Sequence, residues 1–363
     1  MSFLWNLIVF LFFVLAAAAA WVRYWNDRHK KSITSADEVH YVDVADDYRL
    51  AVHRFRPRNP VQGREPLFLC HGLSANRFYF DFNPVCSLAR YAAEQGWDTW
   101  VVELRGAGYS RRPFWNNPLS SYRYDFMDYL LKDLPAAVKL VLDQTGAEKL
   151  HWVGHSMGGM LLYAYLDAYG DGQIRSGTAV SAPTSFVEMT PTIMKISNKT
   201  RWTPAIPWPT GIIYCLSLPL TWMGINFVNK ILINSDNLSK ADAVRFSIVC
   251  AENWSSGRLG KTFIDWVFTG NFEPDPARPG FKERLAEIQL PMLIMVGAAD
   301  QLTPPPTVRF GFEKIGSSDK EYHLFAQEDG DLADYGHVDI LLAETSPQEV
   351  YPKILQWAEE HTQ

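Results

Sequence analysis

Short apolar runs separated by stretches of helical spacing constrain this chain more than any other feature of its 363 residues. "PLFLCHG" (residues 66–72) is a brief unbroken apolar run, as a strand covered on both faces must be. "NPVCSLARYAAEQG" follows with helical spacing and closes on Gly96. "WDTWVVELRG" is a second such strand, and residues 122–145 read as helix, with Pro135 marking a start or a kink. The pattern repeats with "KLHWVG", the helical "MGGMLLYAYLDAYG" and the strand "SGTAVSAP". Later come "LPMLIMVGAAD", a helix near 305–315, "EYHLFA" and a closing helix near 347–360. Upstream, "HYVDVADDYRLAVHRFRP" (residues 40–57) alternates polar and apolar residues like an antiparallel pair. This order predicts an α/β fold: a mostly parallel central sheet with helices on both faces.

Residues 184–290 interrupt the alternation and contain no clear strand. They hold "WTPAIPWPTGIIYCLSLPLTWMGINFV", rich in Pro, Trp and aliphatic side chains. The chain therefore divides into an N-terminal anchor with a basic flank (1–31) and a first part of the core (32–183). A mainly helical cap or lid insertion (184–290) and a second part of the core (291–363) complete it. The cap's apolar residues either line a hydrophobic tunnel or membrane-dipping surface, or simply pack the cap onto the sheet. On the first reading Trp202, Trp208 and Trp222 contact substrate. Pro207, Pro209 and Pro219 count against a second transmembrane helix at 207–228.

"FLWNLIVFLFFVLAAAAAWV" (residues 3–22) carries a single polar side chain, Asn6. As a helix it measures roughly 30 Å, the thickness of a bilayer's hydrocarbon core. Trp5, Trp21, Tyr24 and Trp25 lie near its ends, where interfacial aromatics belong. A cleaved signal peptide is the rival reading, with a periplasmic, lumenal or secreted product. No Lys or Arg precedes the run, however, and the run exceeds a typical signal core. Arg23, Arg28, Lys30 and Lys31 follow it, which favours a single-pass anchor with the catalytic part facing the cytoplasm.

The net charge of −6 and the scattered Lys and Arg residues offer no basic face for nucleic acid. Cys70, Cys86, Cys215 and Cys250 are far apart, without the spacing of a disulfide framework or zinc site. No metal site and no cofactor is expected.

In Gly154-His155-Ser156-Met157-Gly158, a serine stands where a buried strand ends and a helix begins. That position sits on a tight, strained turn, with the hydroxyl above the sheet and the helix N-terminus below. Gly154 and Gly158 leave room for the neighbouring strand and helix. The free N–H groups and partial positive charge of the helix end favour a developing oxyanion. A serine hydroxyl needs a base oriented by an acid, and after such an elbow these follow as acid, then histidine. Asp300 ends the strand "MLIMVGAAD", and His337 lies in "DYGHVDILL", between the last strand and the last helix. Glu328, Asp329, Asp331 and Asp334 are alternative acids, read as a solvated loop. The loop after "PLFLC" can aim the Leu73 N–H at the oxyanion, with the Met157 N–H as second donor. His71 and His155 flank these groups and are candidate substrate contacts. His151 and His155 are four apart on a strand, so they make no zinc pair.

The set "CHGL", "ELRGAGYS", "VGHSMGG", "GAADQLTPP" and "GHVD" resembles the α/β-hydrolase superfamily from about residue 40 onward. "YDFMDYLLKDLPAAVKLVLDQTGAEKLHWVGHS" and "YGHVDILL" are similar to its acid-lipase and cholesteryl-esterase branch. The resemblance implies an acyl-ester hydrolase with Ser156 as nucleophile, His337 as base and Asp300 as acid. Glu103 stands where the superfamily more often has Asp, in a structural segment. Unlike secreted acid lipases, this chain carries an apparent anchor and no disulfide pattern. Together with the cap, these features point to a membrane-anchored lipase or carboxylesterase acting on lipid-like esters. An acyltransferase would use the same triad; an inactive binding member of the fold would have lost one of its residues.

Overall fold

Among the described residues, eight strands form one sheet in the order β1-β2-β4-β3-β5-β6-β7-β8. They are β1 (Glu38–Val44), β2 (Tyr48–Phe55), β3 (Leu67–Cys70), β4 (Thr99–Glu103), β5 (Leu150–His155), β6 (Ile174–Val180), β7 (Met292–Gly297) and β8 (Lys320–Phe325). The structure is a computed structural model that describes residues 2–30, 35–110, 122–202, 205–207, 210–249 and 255–362. β1 and β2 are the expected antiparallel pair, β2 runs antiparallel to β4, and the remaining neighbours are parallel. This is the α/β-hydrolase fold.

The unbroken apolar runs behave as a two-faced sheet requires, because side chains alternate across a strand. Phe68, Trp100, Trp152 and Ile294 enter one core, whereas Leu69, Val101, Val153 and Met295 enter the other. The helices Leu134–Thr145 and Met157–Tyr169 cover the first face. Leu88–Glu94 and Ser346–Glu360 cover the second. Pro135 follows directly on a π-helical turn, Tyr129–Asp133, that continues the helical residues Phe126–Asp128.

Glu103 is fully buried and meets His53 at 3.1 Å, Arg77 at 2.8 Å and the Tyr109 N–H at 2.7 Å. Gly108, with φ of +46°, leaves the space this carboxylate occupies; a Cβ there would collide with it. The extra methylene of Glu over Asp is thus accommodated in a structural hub, away from the elbow.

Between β6 and β7 the chain forms helices: Pro191–Thr200, Thr210–Trp222, Phe227–Leu232, Lys240–Val249, Gly257–Thr269 and the short Phe281–Arg284. The only β contact described within this stretch is a bridge between Ser185 and Asn271. Thr210–Trp222 has 13 residues and contains Pro219, so it is too short to cross a bilayer.

The first helix runs Ser2–Lys30, and its Trp5–Trp25 portion is apolar, 21 residues long and unburied by the protein. It packs against the inserted helices Thr210–Trp222 and Lys240–Val249, and the Trp21 indole donates 2.7 Å to the carbonyl of Cys215. Cys70, Cys86 and Cys215 are buried; Cys250 lies outside the described residues. Burial pushes the Cys86 and Cys215 thiols up to about 11, so they are packing residues, not nucleophiles.

Candidate active site

The parallel register sets Cys70 beside Gly154, so β3 and β5 end together at the carboxyl edge of the sheet. Loops leaving that edge carry the chemistry in such sheets. Ser156 is the first residue past β5, with φ of +54° and ψ of −119°, a region L-residues rarely occupy. The surroundings enforce this strain. A Cβ on Gly154 would strike the backbone at Gly158–Gly159, and one on Gly158 would strike the Cys70 carbonyl. The glycines expected of the elbow are therefore demanded by close backbone approach.

Asp300 follows β7 by three residues, and its Oδ2 lies 2.9 Å from His337 Nδ1. Oδ1 accepts the N–H groups of Leu302 at 3.0 Å and Thr303 at 2.8 Å. Ser156, Asp300 and His337 are all buried, the serine least so at 9% exposure. Among the described residues the serine hydroxyl makes no hydrogen bond to the imidazole. Catalytic contacts of this kind commonly tighten only when substrate binds. The alternative acids are engaged elsewhere: Asp331 with His323 and the Ala326 N–H, Asp334 with the Gln327 N–H.

The Leu73 and Met157 amides donate to no protein acceptor among the described residues, as donors kept for a ligand oxygen would. Leu73 is half-buried in the loop after β3, and Met157 opens the elbow helix.

The two histidines offered as substrate contacts are instead internal braces. His71 is 1% exposed; its Nδ1–H donates to the Gly72 carbonyl at 2.9 Å and its Nε2 accepts from the Leu104 N–H at 3.2 Å. His155 is equally buried, and its Nε2–H donates 2.8 Å to the carbonyl of His337. Burial, then the neighbouring His337, brings His155 down to about 3. It is a neutral strut between the elbow and the histidine loop. Trp202 (80% exposed) and Trp222 (61% exposed) lie on the protein surface, with Arg201 over the Trp202 ring at 4.3 Å. Trp208 lies outside the described residues.

Two features escaped the sequence. The first is Thr303, whose hydroxyl lies 2.8 Å from Asp300 Oδ2, 3.0 Å from His337 Nδ1 and 3.1 Å from the Ser181 carbonyl. The available signal was its position three residues after the acid in "DQLT", a spacing that folds a side chain back onto a carboxylate. The second is a seam between the inserted segment and the histidine loop. Asp339 accepts from the Gly336 N–H (2.9 Å), the Asn234 N–H (2.9 Å) and the Asn237 amide (2.7 Å), and the Val338 N–H donates to the Leu232 carbonyl at 3.0 Å. Nothing in the sequence pairs residues about a hundred positions apart.

The fold is the one shared by α/β hydrolases. Residues 65–207 match the family described as "alpha/beta hydrolase fold". The chain is 25% identical to gastric triacylglycerol lipase of Bos taurus over 358 residues, covering 88% of this chain and 87% of that protein. It is 39% identical to Lipase 1 of Drosophila melanogaster over 124 residues, covering 33% of this chain and only 27% of that one. The solved monoacylglycerol lipase of Paleococcus ferrophilus superposes with a TM-score of 0.56 at 20% identity, covering 85% of this chain and 99% of that one. Within the superfamily the chain resembles the acid-lipase branch of serine lipases and esterases.

Proposed function

We propose that this protein is a membrane-tethered serine hydrolase that cleaves carboxylic esters of apolar, lipid-like substrates. Ser156 Oγ attacks the ester carbonyl carbon while His337 Nε2 takes its proton. The carbonyl oxygen becomes an oxyanion beside the Leu73 and Met157 N–H groups. The carbon–oxygen bond to the leaving alcohol breaks, and the imidazolium returns the proton to that oxygen. Water, deprotonated by the same imidazole, then releases the acid and restores Ser156. Asp300 holds the ring by its Nδ1–H and stabilises the imidazolium. The 2.9 Å Asp300–His337 pair at the sheet edge that carries the strained Ser156 turn is the observation that carries this reading.

Apolar surface supports the membrane part. The unburied Trp5–Trp25 span joins, through the Trp21–Cys215 hydrogen bond, an inserted helix that exposes Ile213, Leu216, Leu220 and Trp222. Met223, Ile225 and Phe227 continue that exposed surface. A surface of this kind belongs in the interfacial region of a bilayer. The basic residues after the span favour a cytoplasmic catalytic part.

A fluorophosphonate probe is expected to label the wild-type protein at Ser156, and Ser156→Ala to lose both labelling and hydrolysis of p-nitrophenyl esters. Hydrolysis surviving in that variant would remove the assignment. Removing residues 2–30 is expected to abolish flotation with phosphatidylcholine vesicles; unchanged flotation would reject the anchor.

A further inference from the structure

A cavity of about 460 Å³ lies between the inserted helices and the loop after β7. Its core-side wall includes Ala299 and Gln301, the neighbours of Asp300 on either side. Its lining also includes Thr221 and Gly224, which bracket the exposed Trp222 and Met223. The cavity therefore reaches the chain on either side of Asp300 and the apolar turn argued to enter a membrane. A molecule whose tails occupy that surface would present its polar end at this level.

The charge of the cavity is one-sided. Lys230 and Lys240 line it, together with Asn226, Asn229 and Asn234, and no Asp or Glu does. Both lysines are exposed, and neither has a carboxylate partner among the described residues. The nearby acids are committed or turned out. Asp339 is held by Asn234, Asn237 and Gly336, and Asp242 accepts from Ser239 at the start of its own helix. Asp236, beyond the lining Ser235, is exposed. Two ammonium groups at the mouth of a concave site attract an oxyanion without fixing its geometry tightly.

We propose that this cavity is a subsite for the anionic head group, a phosphodiester or a carboxylate, of an amphiphilic ester whose acyl carbonyl reaches Ser156. The assignment rests on the ester-hydrolase reading and narrows it: among esters with the same acyl chains, those with a net negative head group are the favoured substrates. Lys230 and Lys240 act on binding and not on bond making, so the preference resides mainly in KM.

The test compares dihexanoyl phosphatidylglycerol with dihexanoyl phosphatidylcholine, which share acyl chains and differ in net charge. The wild-type protein is expected to prefer the anionic lipid by about tenfold in kcat/KM, mainly through KM, as two partly exposed charge contacts allow. In Lys230→Gln/Lys240→Gln that ratio is expected to fall to about one. A ratio near one in the wild type, or the same preference in the variant, overturns the proposal. A second arm reads binding without turnover, by 31P NMR titration with glycerophosphoglycerol and separately with inorganic phosphate. Tighter binding of glycerophosphoglycerol, lost in the double variant, supports the head-group subsite; inorganic phosphate binding equally well, or no binding of either, overturns it. If the wild type hydrolyses neither lipid nor a p-nitrophenyl ester, the Ser156 reading falls, and this titration still decides the cavity.

Discussion

Thr303 shows how a residue outside the expected triad can govern it. Its hydroxyl proton has two acceptors within reach, Asp300 Oδ2 and the Ser181 carbonyl, while its lone pair faces His337 Nδ1. It therefore fixes both the carboxylate rotamer and the plane of the ring. Thr303→Val keeps the shape and deletes these bonds, leaving a buried carboxylate short of one donor. Hydrogen bonds to charged groups contribute about 1.5–3 kcal/mol, so kcat is expected to drop about tenfold or more with KM little changed. Thr303→Ser should recover most of the loss; steady-state kinetics on a p-nitrophenyl ester reads both. Equal activity of the valine and serine variants would make the hydroxyl a bystander. At this scale, Ser156, Asp300 and His337 were legible because an elbow, a strand end and a loop place residues by local chain order. Burial was not legible: His71 and His155 read as available imidazoles, yet both are buried, His71 with both ring nitrogens on backbone groups and His155 with Nε2 on the His337 carbonyl.

Among elements, the strands and core helices were legible because each is a local pattern. Runs such as "LFLC" and "MLIMVG" can be buried on both faces only within a covered sheet. The order of strands in space, and the seam between the inserted segment and the histidine loop, depend on long-range pairing that no local pattern encodes. On the proposed reading of the site, that seam bears on the placement of His337. Asn237 donates to the Asp334 carbonyl at 2.8 Å and to Asp339 at 2.7 Å, clamping the turn that presents His337. Asn237→Ala removes both bonds, although the Asp334 carbonyl keeps the Asn234 amide and Asp339 keeps the Gly336 and Asn234 N–H groups, at a cost of about 1–3 kcal/mol. The variant is expected to melt at lower temperature and to react more slowly with a fluorophosphonate, because the ring is held less firmly near Ser156. Should the melting temperature fall while labelling kept its wild-type rate, the inserted segment would support the loop's stability without setting its position.

For the molecule as a whole, buried neutral histidines set the response to acid. His151 is brought down to about 3, first by burial and then by Arg175 and His361, and His155 falls similarly through burial and His337. Burial also lowers His71. In the unfolded chain each returns to the ordinary value near 6.5. Between these limits the unfolded state binds more protons than the native state, so stability declines as pH falls through that window. Each such histidine contributes a slope of about 1.4 kcal/mol per pH unit. Glu103 acts in the same direction at lower pH: burial alone would raise it, but His53 and Arg77 outweigh burial and hold it well below the usual carboxylate range. Its contribution is present near neutrality and disappears once its carboxylate is protonated. The melting temperature is thus expected to fall by about 5 °C or more between pH 7 and pH 5, and His155→Asn, which cannot take up a proton, to flatten that decline. A melting temperature constant across that interval would mean that the imidazoles open to solvent before the chain unfolds.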